Sequence, residues 1–139
     1  MANSFKSTIV TIAPTELHNR AAVYKAQGWH YVNTSATASK GSDTLELMVT
    51  FAKGAVLENL VMQVLTGEHV TSISDLFFAA FVFENETHDL FGINFDGLAI
   101  DFKGTFYQLS LNQPMNPNAY QAAMGSAASK TDAQTGKEA

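Results

Sequence analysis

The chain contains no cysteine, few basic residues and no long apolar run. The missing cysteine excludes disulfides, thiolate zinc sites, iron–sulfur ligation and a thiol nucleophile together. Eight Lys and Arg stand against thirteen Asp and Glu, for a net charge of −5, and the bases are scattered. Binding a phosphate backbone requires clustered cations, so nucleic acid is not an expected partner. The longest apolar run is Leu76 to Phe83, bounded by Asp75 and Glu84. It is far shorter than the roughly 20 residues a spanning helix needs, so direct membrane insertion is not expected. Met1 to Val10 carries one Lys with no continuous apolar stretch after it, and does not read as a secretory signal. No Gly-x-Ser-x-Gly elbow occurs, and Gly41, Gly54 and Gly67 are isolated rather than gathered in a phosphate loop. These gaps leave a soluble, cytoplasmic domain without a catalytic motif as the expectation.

What is present suits a surface shared with partners. Hydrophobic residues make up 46% of the chain and charged ones only 15%, so much of the surface must be neutral. A chain of 139 residues has room for one domain with an adequate core. Lys6 to Ile12, rich in Thr, Ile and Val, reads as an opening strand. Pro14 then starts a helix in which Leu17, Ala21 and Tyr24 recur at helical spacing, and Gly28 ends it. Trp29 to Thr34 is a second strand, followed by loop residues Ser39 to Asp43. From Thr44 to Phe51 the residues alternate, with Leu45, Leu47, Val49 and Phe51 on one side. Val56 to Leu65 fits either a helical face or an alternation of Leu60, Met62 and Val64. The strand is preferred, closing a hairpin across Lys53-Gly54. Ser72 to Asp75 supplies helix-capping side chains before a helix over Leu76 to Leu90, with Gly92 as its stop. Phe95 to Ile100 and Thr105 to Leu111 are short extended segments. Beyond residue 112 there is no Val, Ile, Leu, Phe or Trp, so 113–139 is expected to be a disordered tail on a domain spanning 1–112. The fold class is α+β: one mixed sheet with about two helices packed on it.

Eight of the ten Phe residues fall between Phe77 and Phe106, together with Glu84, Glu86, Asp89, Asp96 and Asp101 and the single base Lys103. Most of these rings are expected in the core, and the remainder as anchors in an interface, where aromatics are enriched. Within this window, Glu84-Asn85-Glu86-Thr87-His88-Asp89-Leu90-Phe91-Gly92-Ile93-Asn94-Phe95-Asp96-Gly97 resembles the signature of the 30 kDa subunit family of respiratory complex I. That signature reads Glu-Arg-Glu, two residues, Asp, a hydrophobic residue, Phe-Gly-Ile, one residue, Phe, one residue, Gly. Ser72-Ile73 ahead of Leu76 and Ala79 or Ala80 is similar to the family's lead-in, and the resemblance extends over roughly Leu45 to Tyr107.

The departures narrow it. Asn85 stands where the family has Arg, and His88 where an aromatic is usual. Leu98-Ala99 replaces a His-Pro, and the downstream Arg residues are absent. The chain continues instead as Ile100-Asp101-Phe102-Lys103-Gly104-Thr105-Phe106-Tyr107. Short chains with this Glu-Asn-Glu variant resemble the homologous subunit of energy-converting membrane-bound [NiFe] hydrogenases of the Ech and carbon-monoxide-induced types. The resemblance implies a non-catalytic, cofactor-free subunit, peripheral on the inner face of the membrane. Its partners would be the hydrogenase large subunit and the other subunits of that complex. It also implies a subunit interface built on Glu84, Glu86, His88, Asp89, Phe91, Gly92, Phe95 and Gly97.

On a helix, Glu84 and His88 share a face, as do Glu86 and Leu90. Three acids within six residues require compensation, and the family's counter-charge is missing at Asn85. Basic residues or backbone donors of a neighbouring subunit are therefore expected to satisfy Glu84, Glu86 and Asp89; the bland reading is that they cap local turns or face solvent. Phe91 and Gly92 are expected to pin and turn the chain, with Gly97 in a similar role. A metal on Glu84, His88 and Asp89 is not expected, because the Glu-x-x-His pattern of carboxylate-bridged sites has no second copy. His18, His30 and His69 lie in unrelated contexts, and Trp29 is assigned to packing. Two other readings remain: the equivalent subunit of an NADH:quinone oxidoreductase-like complex, and a stand-alone module binding a small molecule or peptide.

Overall fold

The alternation in Thr44–Lys53 and Val56–Leu65 produces the centre of the molecule, an antiparallel pair with Val49 opposite Leu60 and Leu47 opposite Met62. In the computed structural model, which describes residues 5–38, 41–103 and 115, these strands are β3 and β4. A two-residue loop, Gly54-Ala55, joins them, and Gly54 has φ +59°. Glycine takes that conformation without Cβ strain, and a two-residue hairpin with positive φ at its first position matches the strand twist.

β1 (Lys6–Thr11) lies parallel to β4, and β2 (His30–Ala38) lies antiparallel to β3, giving a mixed sheet in the order β1-β4-β3-β2. A bulge at Val32 interrupts β2, whose pairing with β3 runs out to Ala38. It ends four residues beyond the expected strand because Thr34, Ala36 and Ala38 keep facing the core side, opposite Val49, Leu47 and Leu45. Between β1 and β2, a 3-10 turn at Pro14–Glu16 leads into α1 (Leu17–Ala26). Leu17, Ala21 and Tyr24 are its buried residues, as their spacing predicts.

One face of the sheet carries the core. Phe51 is fully buried and stacks on Tyr24 of α1 at 4.6 Å, with Tyr31 and Phe77 against its other edges. The opposite face is stitched by polar groups. Thr50 donates to Asn59 Oδ1 at 2.7 Å, and Asn59 Nδ2 donates to Ser7 Oγ and to the Thr8 carbonyl, each at 3.0 Å. One amide thus ties β3, β4 and β1. It also settles the helix-or-strand ambiguity of Val56 to Leu65: Leu60, Met62 and Val64 are buried, whereas Leu65 is exposed.

The second half of the chain departs from expectation in two places. The helix α2 runs Ala80–Phe91, so it begins four residues later than the capping residues suggest. Residues 74–79 form successive turns, with the N–H groups of Leu76 and Phe77 both donating to the Ile73 carbonyl. These turns place Phe77 against Phe51 while Phe78 faces outward. The Ser72 and Ser74 hydroxyls are committed elsewhere and cap nothing; the N-cap of α2 is Ala79, without a side-chain bond. The expected extended segment from Phe95 to Ile100 is reduced to β6 (Asn94–Asp96), paired parallel with β5 (His69–Thr71) in a second, two-stranded sheet. The expected strand over Thr105 to Leu111 and, except for Met115, the expected tail over 113–139 lie outside the described residues. Among the described residues no helix is long and apolar enough to cross a membrane.

Candidate functional site

The fourteen residues from Glu84 to Gly97 fold as the second half of α2, a tight turn, and β6. The turn depends on Gly92, which has φ +82° and donates its N–H to the His88 carbonyl at 2.8 Å. That is the left-handed C-terminal cap glycine favours. Gly92→Ala is expected to cost about 1 kcal/mol and lower the thermal midpoint by ~5 °C. A melting curve of the purified variant measures it directly.

Glu84 points inward. It is 1% exposed, and its carboxylate accepts from Ser72 Oγ at 2.5 Å and from the Ile73 N–H at 3.0 Å. Ser74 Oγ lies 2.7 Å from Ser72 Oγ and accepts the Ala99 N–H at 2.8 Å. A one-way chain of donors therefore runs from Ala99 through Ser74 and Ser72 into the carboxylate. Burial pushes the Glu84 carboxyl up to about 7, against the pull of the Ser72 and Ile73 bonds and with Asp75 adding to the rise. Burial likewise raises the Tyr31 hydroxyl, against its bond with Thr34, and the Glu84 and Glu86 charges add to that rise. The expected donors for Glu84 were those of a neighbouring subunit. Its oxygens are instead taken by this chain's own loop, because the carboxylate lies beneath residues 72–74 and not on the surface.

Asn85 is the neighbouring buried group. Its Nδ2 donates to the carbonyls of Phe81 at 2.7 Å and Ile100 at 2.8 Å, and its Oδ1 accepts the Phe102 N–H at 3.0 Å. Where the family carries a charge, this side chain clamps residues 100–102 onto α2. Sequence reasoning missed that role, and those of Ser72 and Ser74. Their signal was the alternation Ser72-Ile73-Ser74, a period of two that marks extended chain and not a helix start.

The other motif residues separate into packing and surface. Phe95 is in the core, Phe91 packs against it, and Asp89 is buried. Glu86 and His88 are half-buried. His88 Nδ1 donates to the Ile93 carbonyl at 3.0 Å. Glu84 and His88, although four apart, thus serve different partners. Across the small sheet, His69 Nδ1 donates to Asp96 at 2.8 Å. His69, His88, Asn94, Asp96, Asp101 and Lys103 border an open polar cavity of about 260 Å³. Among the described residues no three His, Asp or Glu side chains are placed to hold a metal ion. The aromatic window is less buried than expected: Phe77, Phe81, Phe83 and Phe91 are half-buried, while Phe78 is 61% exposed.

Residues 10–106 match the family model of the respiratory-chain NADH dehydrogenase, 30 Kd subunit. The chain belongs to this family. The match covers β2, β3 and β4, the end of β1, both helices and the whole Glu84–Gly97 motif. The fold is also similar to a chain in the structure of the membrane-bound sulfane sulfur reductase, an archaeal respiratory membrane complex. The TM-score is 0.69 at 12% identity, covering 84% of this chain and 72% of that one. At that identity the likeness concerns the fold. No curated protein matches the chain at a significant level.

Proposed function

We propose that this member of the 30 kDa family is the peripheral, non-catalytic subunit of an energy-converting membrane-bound [NiFe] hydrogenase, docked on its large subunit on the cytoplasmic side. The observation that carries this reading is the Asn85 clamp. Asn85, which stands where the family pattern has Arg, holds the backbone of the ending Ile100-Asp101-Phe102, the second departure from that pattern. The similarity to a chain of an archaeal respiratory membrane complex supports the membrane-complex setting.

In this reading the motif is an internal scaffold as much as a contact. Glu84, Asp89, Phe91, Gly92, Phe95 and Gly97 shape the helix–turn–strand, and Glu86 and His88 reach the partner. The equivalent subunit of a quinone-reducing complex is the second reading within the family, and the polar cavity beside His69 keeps a ligand-binding module in view as a third.

Affinity purification of the tagged full chain from native membranes, followed by mass spectrometry, tests all three. Recovery of a [NiFe] large subunit with membrane subunits is the expected result. Quinone-reductase subunits would move the assignment to the second reading, and a clean monomer would overturn both.

A further inference from the structure

Two large apolar side chains beside α2 face solvent in an arrangement the fold actively holds. Phe78 is 61% exposed and Ile100 40%. The half-buried Phe81 links them. Its ring meets that of Phe78 at 4.9 Å, and its carbonyl shares the Asn85 amide with the carbonyl of Ile100. Asn85 itself is 1% exposed, so a buried side chain commits three hydrogen bonds to keeping residues 100–102 beside this ring pair. Single exposed apolar residues are ordinary on protein surfaces. A ring pair and an Ile fixed by a buried clamp form a preorganised anchor, and aromatic anchors carry most of the energy of protein interfaces.

The charges around the anchor indicate what it fits. Asp75 and Asp101 adjoin Phe78 and Ile100 in the chain, and the only Lys or Arg in residues 72–103 is Lys103. Asp75 is bonded to His18, and both Asp75 and Asp101 are exposed. An acidic rim repels an anionic bilayer surface. It also repels a second copy of itself brought up on a two-fold axis. It complements an apolar surface edged with Arg or Lys.

We propose that Phe78, Phe81 and Ile100 are the docking anchor of this chain, seated in an apolar socket rimmed by Arg and Lys on a neighbouring subunit of its complex. The proposal rests on the subunit reading above and moves the principal contact from the acidic motif to the aromatic ridge beside it.

The test uses the tagged full chain in its native membranes, with a photoreactive benzoylphenylalanine at position 78 or, for comparison, at Ile9 on the far side of the molecule, which is 72% exposed. Illumination should join position 78 to one oxidoreductase subunit, at an apolar stretch flanked by Arg or Lys, with little product from position 9. The Phe78→Glu/Ile100→Glu variant should recover about tenfold less of that subunit, while its melting curve stays near that of the wild type. Adducts from position 9 but not 78, adducts to lipid or to a second copy, or wild-type recovery by the double variant would each overturn the anchor. In those cases the wild-type chain still brings down its complex, so membership stands. If the wild-type chain brings down no oxidoreductase subunit, membership itself falls and the anchor with it.

Discussion

Glu84→Gln is expected to abolish a loss of stability that the wild-type chain suffers between about pH 4.5 and pH 7. The carboxyl is held near 7 in the folded state against an ordinary value of 4.5, chiefly because burial disfavours its charge. Between those two values the folded chain keeps the proton and the unfolded chain releases it. Stability therefore falls as pH rises, by about 1.4 kcal/mol per unit and about 3 kcal/mol in all from this one group. It is fully present below pH 4.5 and spent once pH passes 7. Gln has the same shape and never ionises. Its Oε1 accepts the Ile73 N–H while its Nε2 donates to Ser72 Oγ, which then passes its own proton to Ser74. Urea unfolding from pH 4.5 to 8 should show the variant gaining on the wild type across that window. Parallel profiles would mean that the carboxylate is already compensated when folded. Glu84→Ala should be worse than Glu84→Gln at every pH, because it leaves the buried Ile73 N–H without an acceptor, at about 1–3 kcal/mol, and empties the space the side chain fills.

Asn85→Ala is expected to lose about 2–3 kcal/mol and to loosen residues 100–102. Three hydrogen bonds vanish, but Ile100 and Phe102 are both more than a third exposed, so their freed backbone groups reach water and the loss stays below the full desolvation cost. Asn85→Asp should be at least as damaging. It keeps an acceptor for the Phe102 N–H yet sets a buried carboxylate against the carbonyls of Phe81 and Ile100, with no donor between them. Asn85→Arg, the residue the family pattern carries, finds no space at a site 1% exposed and should release the segment it now holds. Hydrogen exchange at the Phe102 amide is the direct readout. An unchanged exchange rate in Asn85→Ala, with stability within about 0.5 kcal/mol, would rule the clamp out as a structural element.

Both predictions concern residues that the sequence marks but does not explain. The Glu-Asn-Glu run announces a motif, and a resemblance assigns it to a family. The same letters fit acids that face a partner and an acid folded under its own loop. Ser72 and Ser74 show why. Side chains favoured at helix starts are favoured there because they bond nearby backbone N–H groups, and the same capacity serves a carboxylate twelve residues away. Local preference was satisfied by a distant partner, and the helix began four residues later. The aromatic window carried a similar ambiguity: Phe77 and Phe78 are adjacent and chemically identical, yet one packs on Phe51 and the other faces water.

What the sequence determined by itself was whatever rests on periodicity and on residue chemistry with a short reach. The alternation of Leu45, Leu47, Val49 and Phe51 against their neighbours set β3 and its buried side, the spacing of Leu17, Ala21 and Tyr24 set the inner face of α1, and Gly54 and Gly92 set the turns. The mixed α+β class followed from these elements. Only the tertiary structure decided the strand order β1-β4-β3-β2, the inward turn of Glu84 and the clamp of Asn85 on residues 100–102. Each of those depends on contacts between residues far apart in the chain. Their free energy comes from burying a charge or an amide that must then find its partners wherever the fold brings them.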